Sequence, residues 1–210
     1  PALELPSLDA SDELVRGLVA ALSARPELGR WLVGEGLVRR LVAAVDNVAE
    51  GTHPRKHLPP LRPDGAFAVA GSGPAPVPAT AAYGRYDGWV ALFTSVEPAG
   101  TARLYAQLRP LIDEAYRDLG YPGKRFDDTL VRAFRNLLAT PVPESPPLLT
   151  RKVTTWEYAD PRLEALSPAQ KQLLRLGPDN QRRVQGHLRA LASALGIPQG
   201  RLPPAATYRR

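Results

Sequence analysis

The stretch GYPGKRFDD, residues 120–128, holds a tyrosine, two basic side chains and two adjacent aspartates within nine positions. Two neighbouring carboxylates can bind a metal or divide the roles of acid and base between them. If the fold brings other polar residues to this stretch, a small-ligand or catalytic site can form there. The binding candidates of such a site are Tyr121, Arg125, Asp127, Asp128, Arg109 and Asn47.

The same stretch also has a structural interpretation, and the sequence favours it. Consecutive helix residues point about 100° apart, so Asp127 and Asp128 do not converge on one atom unaided. Gly120 fits the end of one helix, and Asp127 fits the N-cap of the next. Phe126 is expected to pack on Val131 as a hydrophobic staple, while Asp128 lies in the first turn. Residues 120–128 are therefore predicted to be a corner between two helices, with no catalytic residue.

The remaining reactive residue types do not form a known motif. His53 and His57 have the spacing of a metal-binding pair on a helix, but Pro54 disfavours a helix there and no Asp or Glu is expected to supply a third ligand. The chain has no cysteine, and GSGPAP lacks the lysine of a phosphate-binding loop. His187 stands alone and is expected at the edge of the core. We predict no metal and no cofactor.

Positive charge is concentrated in the C-terminal third. Residues 151–210 carry 11 Lys and Arg against 4 Asp and Glu, whereas residues 1–150 carry 16 against 17. Such a face can meet phosphates of nucleic acid or lipid, although a solvated helix surface is the favoured interpretation and nucleic acid is a disfavoured partner. The basic surface is predicted to comprise Lys171, Arg175, Arg182, Arg183 and Arg189.

Hydrophobic spacing predicts a series of helices. Pro110 should kink one of them, since it lacks an amide hydrogen. The motif SPAQ at 167–170 is a strong helix start, because Ser167 can cap and Gln170 can reach back. The predicted helices cover residues 11–22, a short segment after Pro26, and residues 37–50, 86–96, 101–119, 127–139, 167–177 and 178–195.

The β content is predicted to be small. LLTRKVTTWEYAD, residues 148–160, is rich in β-forming residues and is expected to be one strand, with Ala66–Ala70 as its partner. Residues 51–82 are otherwise a long irregular stretch. The predicted fold is mainly α, a single compact multi-helix domain over residues 1–200 with a minor two-stranded β element. Residues 201–210 are expected to be a loosely ordered tail, and no run is apolar enough to span a membrane.

Five motifs carry a family resemblance. In order, LPSLDASDELVR, LVRRLVAAVDNVAEG, LRPLIDEAYRDLGYPGKRFDD, LLATPVPE and YADPRLEALSPAQKQLLRLGPDNQRRVQ resemble the bacterial domain of unknown function 3014 family. The resemblance extends from about Leu5 to Leu195. The residues that match its motifs are Asp46, Asn47, Arg109, Tyr116, Tyr121, Pro122, Arg125, Phe126, Asp127, Asp128, Gln170, Lys171 and Asn180.

The resemblance implies a single domain carried behind an N-terminal membrane anchor and a proline-rich linker, with no established activity and no role for any matched residue. It places the protein in the periplasm or cell envelope. The absence of methionine agrees with an anchor that precedes Pro1 and is missing from this chain.

The favoured function is a non-enzymatic interaction or scaffolding domain whose partner is an unidentified envelope protein. One alternative is an enzyme or small-ligand-binding domain with its site at residues 120–128. A second alternative is weak binding of an anionic polymer or lipid surface through the basic C-terminal helices. Trp156 and exposed tyrosines are also candidates for a partner surface.

Overall fold

A computed structural model describes residues 4–58, 63, 65–71 and 76–210, without the side chains of residues 30 and 31. Most of these residues are helical, which confirms the mainly α prediction. The helices are α1 (Asp12–Ala20), α2 (Leu28–Trp31), α3 (Leu37–Ala49), α4 (Thr80–Gly84), α5 (Asp87–Phe93), α6 (Pro98–Gln107), α7 (Arg109–Asp118), α8 (Phe126–Leu138), α9 (Pro161–Glu164), α10 (Pro168–Leu174) and α11 (Pro178–Ala194).

Two large hydrophobic clusters form most of the core, and α8 belongs to both, while a small third cluster consists of Leu163, Leu174 and Tyr208. The first cluster packs α1, α3 and α7 around Val42, Ile112 and Tyr116. The second packs α5, α10 and α11 around residues such as Val90. Phe126 at the start of α8 lies in the first cluster, while Leu138 at its end lies in the second. The apolar stripe of one amphipathic helix therefore joins the two halves.

Helix starts follow the local sequence closely. Ser167 and Gln170 form the predicted capping box of α10, with reciprocal side-chain and backbone hydrogen bonds. The start of α3 depends on a distant residue instead. The Asp12 carboxylate accepts from the backbone amides of Gly36 at 2.7 Å and Leu37 at 2.8 Å. A carboxylate at a helix N-terminus satisfies free amides and meets the positive end of the helix dipole.

The single kinked helix predicted over residues 101–119 is wrong. Helix α6 ends at Gln107, and α7 begins at Arg109 with Pro110 in its first turn. Proline is well tolerated at that position because the amide it lacks has no partner within the helix. Pro110 therefore begins a new helix instead of bending an existing one.

Three two-stranded pairs, rather than one, make up the described β structure. Strand β1 (Val69–Ala70) pairs with β2 (Val77–Pro78), and β3 (Val142–Pro143) pairs in parallel with β6 (Thr207–Tyr208). The predicted long strand is in fact a hairpin of β4 (Leu149–Arg151) and β5 (Trp156–Tyr158). The predicted pairing with Ala66–Ala70 is thus wrong, since a chain that turns back on itself pairs locally.

The end of the chain is held in place, in contrast to the loosely ordered tail that we predicted. Tyr208 is buried, pairs through its backbone with Pro143, and donates its hydroxyl to Asp160 Oδ2 at 2.6 Å. Part of the long stretch 51–82 is ordered as well, with a 3-10 turn at Pro54–Lys56 before β1 and β2. Residues 59–62, 64 and 72–75 of that stretch lie outside the described residues.

Candidate functional site

The corner, residues 120–128, centres on the Asp127 carboxylate. Tyr105 donates its hydroxyl to Oδ1 at 2.6 Å, and Arg109 and Arg125 each donate to Oδ2 at 2.8 Å. The prediction that Asp127 is the N-cap of α8 is wrong. The helix already begins at Phe126, and Arg125 occupies the cap position. The aspartate is instead the centre of an ion-pair network, and Asp128 occupies the first turn as expected.

This network leaves Asp127 little capacity for chemistry. Burial by itself would raise the pKa of Asp127, but its hydrogen bonds from Tyr105, Arg125 and Arg109 outweigh burial and lower that pKa below its ordinary value. Arg109 is paired a second time, with Asp113 at 3.0 Å. The carboxylate therefore stays ionised near neutral pH with both oxygens occupied, which suits a structural tie and not a proton carrier.

The other predicted site residues do not join this network. Tyr121 stacks on Tyr116 with ring centroids 4.7 Å apart and makes a long hydrogen bond of 3.3 Å to Asp46 Oδ2. The backbone carbonyl of Asn47 accepts from Thr52. The six predicted binding residues thus divide between different contacts, and the main cleft of the described structure lies elsewhere.

That cleft has a volume of about 760 Å³ and lies between the β4–β5 hairpin, α4, α10 and the turn at Pro54–Lys56. We call it the hairpin cleft. Its residues are mainly aromatic rings and cations, with a few uncharged polar groups, three apolar residues and one glutamate. The lining consists of Arg55, Pro63, Phe67, Pro78, Tyr83, Arg85, Tyr86, Leu149, Thr154, Thr155, Trp156, Tyr158, Glu164, Lys171, Gln172 and Arg175.

One aromatic wall depends on a glycine. Gly177, just before α11, has φ +82° and ψ 160°, a backbone conformation that is almost confined to glycine. A Cβ atom at this position would lie 2.6 Å from Cγ of Tyr83. The ring of Tyr83 therefore packs directly against the backbone of Gly177, and no larger residue leaves room for it.

Three guanidinium groups line the hairpin cleft and form no salt bridge among the described residues, although the charge of Arg175 acts on Glu164. Arg55 and Arg175 are exposed and form no ion pair there. Arg85 donates to the carbonyl oxygens of Ala82 and Gly65, at 3.2 and 2.9 Å, and lies over the rings of Phe67 and Tyr86. Carbonyl oxygens orient a guanidinium but do not neutralise it, so the cleft keeps a positive potential.

The single acidic residue of the lining is already paired. Glu164 Oε1 accepts from Lys171 Nζ at 2.5 Å, and Oε2 accepts from the backbone amide of Tyr158 at 2.9 Å. Burial acts to raise the pKa of Glu164, but Lys171 and the Tyr158 amide together hold that pKa below its usual value. Burial also raises the pKa of Tyr83 to about 12. At neutral pH the carboxylate is therefore ionised and the phenol protonated, an arrangement suited to binding.

The histidines have structural contacts. His53 Nε2 lies 2.8 Å from Gln172 Oε1, and the backbone amide of Arg55 donates to His53 Nδ1 at 2.9 Å. Both ring nitrogens are therefore occupied. His187 packs edge-on against Phe93, with its Nε2 buried and unpaired. Within the described ranges, no three His, Asp or Glu side chains are grouped as metal ligands.

The five predicted basic residues do not share one surface. Lys171 and Arg175 line the hairpin cleft. On α11, Arg182 pairs with Asp179 at 2.8 Å and Arg183 donates to Asn180. Arg189 donates to the carbonyl of Pro203 at 2.7 Å. The α11 arginines are thus tied to their neighbours, whereas Arg175 is free to meet a ligand.

Sequence reasoning missed most of the cleft. No motif includes Arg85 and no role is predicted for Arg55, Gln172 lies within a family motif without an assigned role, and Trp156 is predicted only as a candidate for a partner surface. The weak signals were the unexplained stretch 51–82, which supplies four lining residues, and the basic residues that begin at Lys171. Neither signal indicated that these segments meet.

The described chain is thus a helical domain with one cationic, aromatic cleft. A family model described as Protein of unknown function (DUF3014) matches residues 37–192, and the chain belongs to that family. This confirms the resemblance read from the motifs. No curated protein and no solved structure matches the chain. None of the helices in the described ranges is long and apolar enough to cross a membrane.

Proposed function

We propose that this domain binds a small organic anion in the hairpin cleft and performs no chemistry on it. The observation that carries the proposal is the set of three guanidinium groups, Arg55, Arg85 and Arg175, that line the cleft and form no salt bridge among the described residues. Cations gathered in a concave, low-dielectric site attract and hold anions. An anionic ligand would supply the charge that the described residues do not.

The aromatic lining defines the rest of the ligand. Phe67, Tyr83 and Trp156 offer apolar ring faces beside the cations. Ligand sites commonly combine such surfaces with a few polar groups that fix orientation. The favoured ligand therefore has a ring that packs on these faces and an anionic group that reaches the arginines. This is a small-ligand-binding function, the first alternative that the sequence left open, but at a cleft away from the corner to which that alternative assigned it.

The proposal is tested by measuring the binding of phenyl phosphate to the domain with titration calorimetry at low salt. Replacing both Arg55 and Arg175 with alanine should weaken binding at least tenfold, because both charges face the cleft. The matched control replaces Arg182 and Arg201, two exposed arginines outside the cleft, and should stay within about twofold of the wild type. Equal weakening in both double variants, or no binding by the wild type, would contradict the proposal.

A second candidate is protein interaction through the hairpin. Val153 at its turn is 96% exposed, and Trp156 of β5 lies beside the cleft mouth. An exposed apolar residue next to tryptophan is typical of a contact surface. Cross-linking from a photoreactive group at position 153, in cells that carry the whole protein, should capture one partner that a group at exposed position 199 does not.

The envelope location also belongs to the proposal. Its support is the family membership, since the resemblance implies a domain held outside the cytoplasm by an anchor. A tagged version of the whole protein should then fractionate with membranes and be digested by protease only after the outer barrier is opened. Recovery in the cytosolic fraction would contradict this location.

A further inference from the structure

Gln172 of α10 carries an unsatisfied donor at the hairpin cleft. The residue is only 8% exposed, and its Nε2 is buried without a hydrogen-bond partner in the described structure. The other buried unpaired side-chain atoms belong to Asp46, Gln181 and His187, none of which lines the cleft. Native proteins leave few buried donors unpaired, because each loses its hydrogen bonds to water. A group that is bound in the cleft can supply the missing acceptor if a small shift of the neighbouring side chains accompanies binding, because Nε2 itself is closed to solvent.

The orientation of this amide is fixed by His53. A backbone amide can only donate, so the contact from Arg55 N makes His53 Nδ1 an acceptor. The hydrogen of the neutral ring then lies on Nε2, which donates to Gln172 Oε1. Burial lowers the pKa of His53, and this favours the neutral ring. The amide oxygen must face His53, so the amide nitrogen is the atom left without a partner.

Two arginines of the cleft lining, Arg55 and Arg175, lie close enough to His53, the partner of Gln172, for their charges to act on its ring. Arg55 lies inside the Pro54–Lys56 turn, two residues after His53, and Arg175 lies three residues after Gln172, at the C-terminal cap of α10. Lys171 is taken up by Glu164. The ligand group that best accepts hydrogen bonds from one amide and two guanidinium groups at once is an oxyanion. Two positive charges favour a phosphate monoester over a carboxylate, since the monoester carries close to two negative charges at neutral pH.

We propose that Gln172 Nε2, oriented by His53, donates to the oxyanion of the ligand together with Arg55 and Arg175, and that this oxyanion is a phosphate monoester. The inference rests on the proposed function and adds the chemical class of the ligand and the group that recognises it. The ring portion of the ligand then extends toward Trp156 and Tyr83, on the other side of the cleft.

The test compares Gln172→Glu with Gln107→Glu in phenyl phosphate titrations. Gln172→Glu can still accept from His53, but it places a negative oxygen where the donor was, so binding should weaken at least tenfold. Gln107 is exposed on α6, outside the cleft, and its variant carries the same change in net charge. Its affinity should stay within twofold of the wild type.

A second measurement uses only the wild type, so it tests the proposal even if the Gln172→Glu variant does not fold. In spectra of the ¹⁵N-labelled wild type, the assigned side-chain NH₂ signals of Gln172 should shift during the titration, while those of Gln107 should not. Benzoate tests the anion class and should bind at least tenfold more weakly than phenyl phosphate. If benzoate binds as tightly as phenyl phosphate, an oxyanion is still the group that the site recognises, but the preference for phosphate is overturned.

The two proposals fail differently. In the first case, phenyl phosphate binds the wild type and the double variant of Arg55 and Arg175 loses this binding. If Gln172→Glu then binds within twofold of the wild type and the Gln172 signals do not move, the recognition role of Gln172 is overturned. The anion site itself still stands. If the wild type binds neither phenyl phosphate nor benzoate, both proposals are overturned.

Discussion

The corner and the hairpin cleft contain similar residue types but use them in opposite ways. In the corner, Arg109 and Arg125 converge on one carboxylate, so each positive charge has a negative partner nearby. In the cleft, Arg55 and Arg175 are exposed to solvent, and neither forms a salt bridge among the described residues. The hydrogen bonds of the Asp127 network are therefore satisfied within the corner, whereas the cleft retains an unpaired donor and unpaired positive charge. Unpaired groups, rather than reactive residue types, distinguish a binding site from a structural joint.

The largest expected effect concerns the glycine that supports the cleft wall. Gly177→Ala should destabilise the domain by about 3 kcal/mol, because it combines a disfavoured backbone conformation with overlap on the Tyr83 ring. Urea unfolding measures the change. Gly120→Ala in the corner has φ +109° but open space around the Cβ, so it should cost less. Gly186→Ala, exposed inside α11, should stabilise by up to about 1 kcal/mol. A cost for Gly177→Ala no greater than for Gly120→Ala would contradict the close packing.

Removing the central charge of the corner should affect stability and leave binding intact. Asp127→Asn is expected to cost about 1.5 kcal/mol at pH 7, since three donors lose an ionised acceptor that is only partly exposed. Phenyl phosphate affinity should not change. A loss of affinity with unchanged stability would reverse our assignment of the two regions.

The same variant has a defined pH dependence. The pKa of Asp127 is lower in the folded protein than in the unfolded chain, where it is about 3.9. Its contribution to the free energy of unfolding is therefore fully present above about pH 4 and is lost as pH falls through the lower, folded pKa. The stability difference between wild type and Asp127→Asn should be constant from pH 5 to 8 and shrink below pH 4.

A new acidic residue should make the cleft resemble the corner. Thr155→Glu adds a carboxylate at the cleft lining and should weaken phenyl phosphate binding about fivefold, since one charge at close range in a solvated site contributes about 1 kcal/mol. Val153→Glu lies on the same hairpin turn but outside the lining, and should have a smaller effect. Equal effects would indicate that only the net charge of the hairpin matters.

The smallest expected effect is on stability in mild acid. Burial lowers the pKa values of His53, His57 and His187, so the unfolded chain takes up protons first as pH falls. Stability should therefore decline as pH falls below about 6.5, where unfolded histidine titrates. His187→Leu should reduce that decline by less than about 1 kcal/mol between pH 7.5 and 5.5. Thermal unfolding at the two pH values measures it.

The helices were largely predictable because their signals are local. The stripe of α3 and the capping box of α10 depend on residues three or four apart, and both are present in the structure. The errors occurred where two local interpretations compete. Pro110 can kink a helix or begin one, and Asp127 can cap a helix or bind arginine. Only the neighbouring elements decide between these alternatives, and here Tyr105 and Arg109 of other segments took the Asp127 carboxylate.

The sequence by itself determined a mainly helical domain and the uneven distribution of charge, because periodicity, capping and composition act over a few residues at a time. Its motifs carried the family resemblance. Only the tertiary structure decided which charges are neutralised. The contact between His53 and Gln172 joins residues 119 positions apart, and it determines which atom of the amide remains free. Hydrogen bonds and ion pairs depend on distances of a few ångströms, which packing sets and spacing in the chain does not.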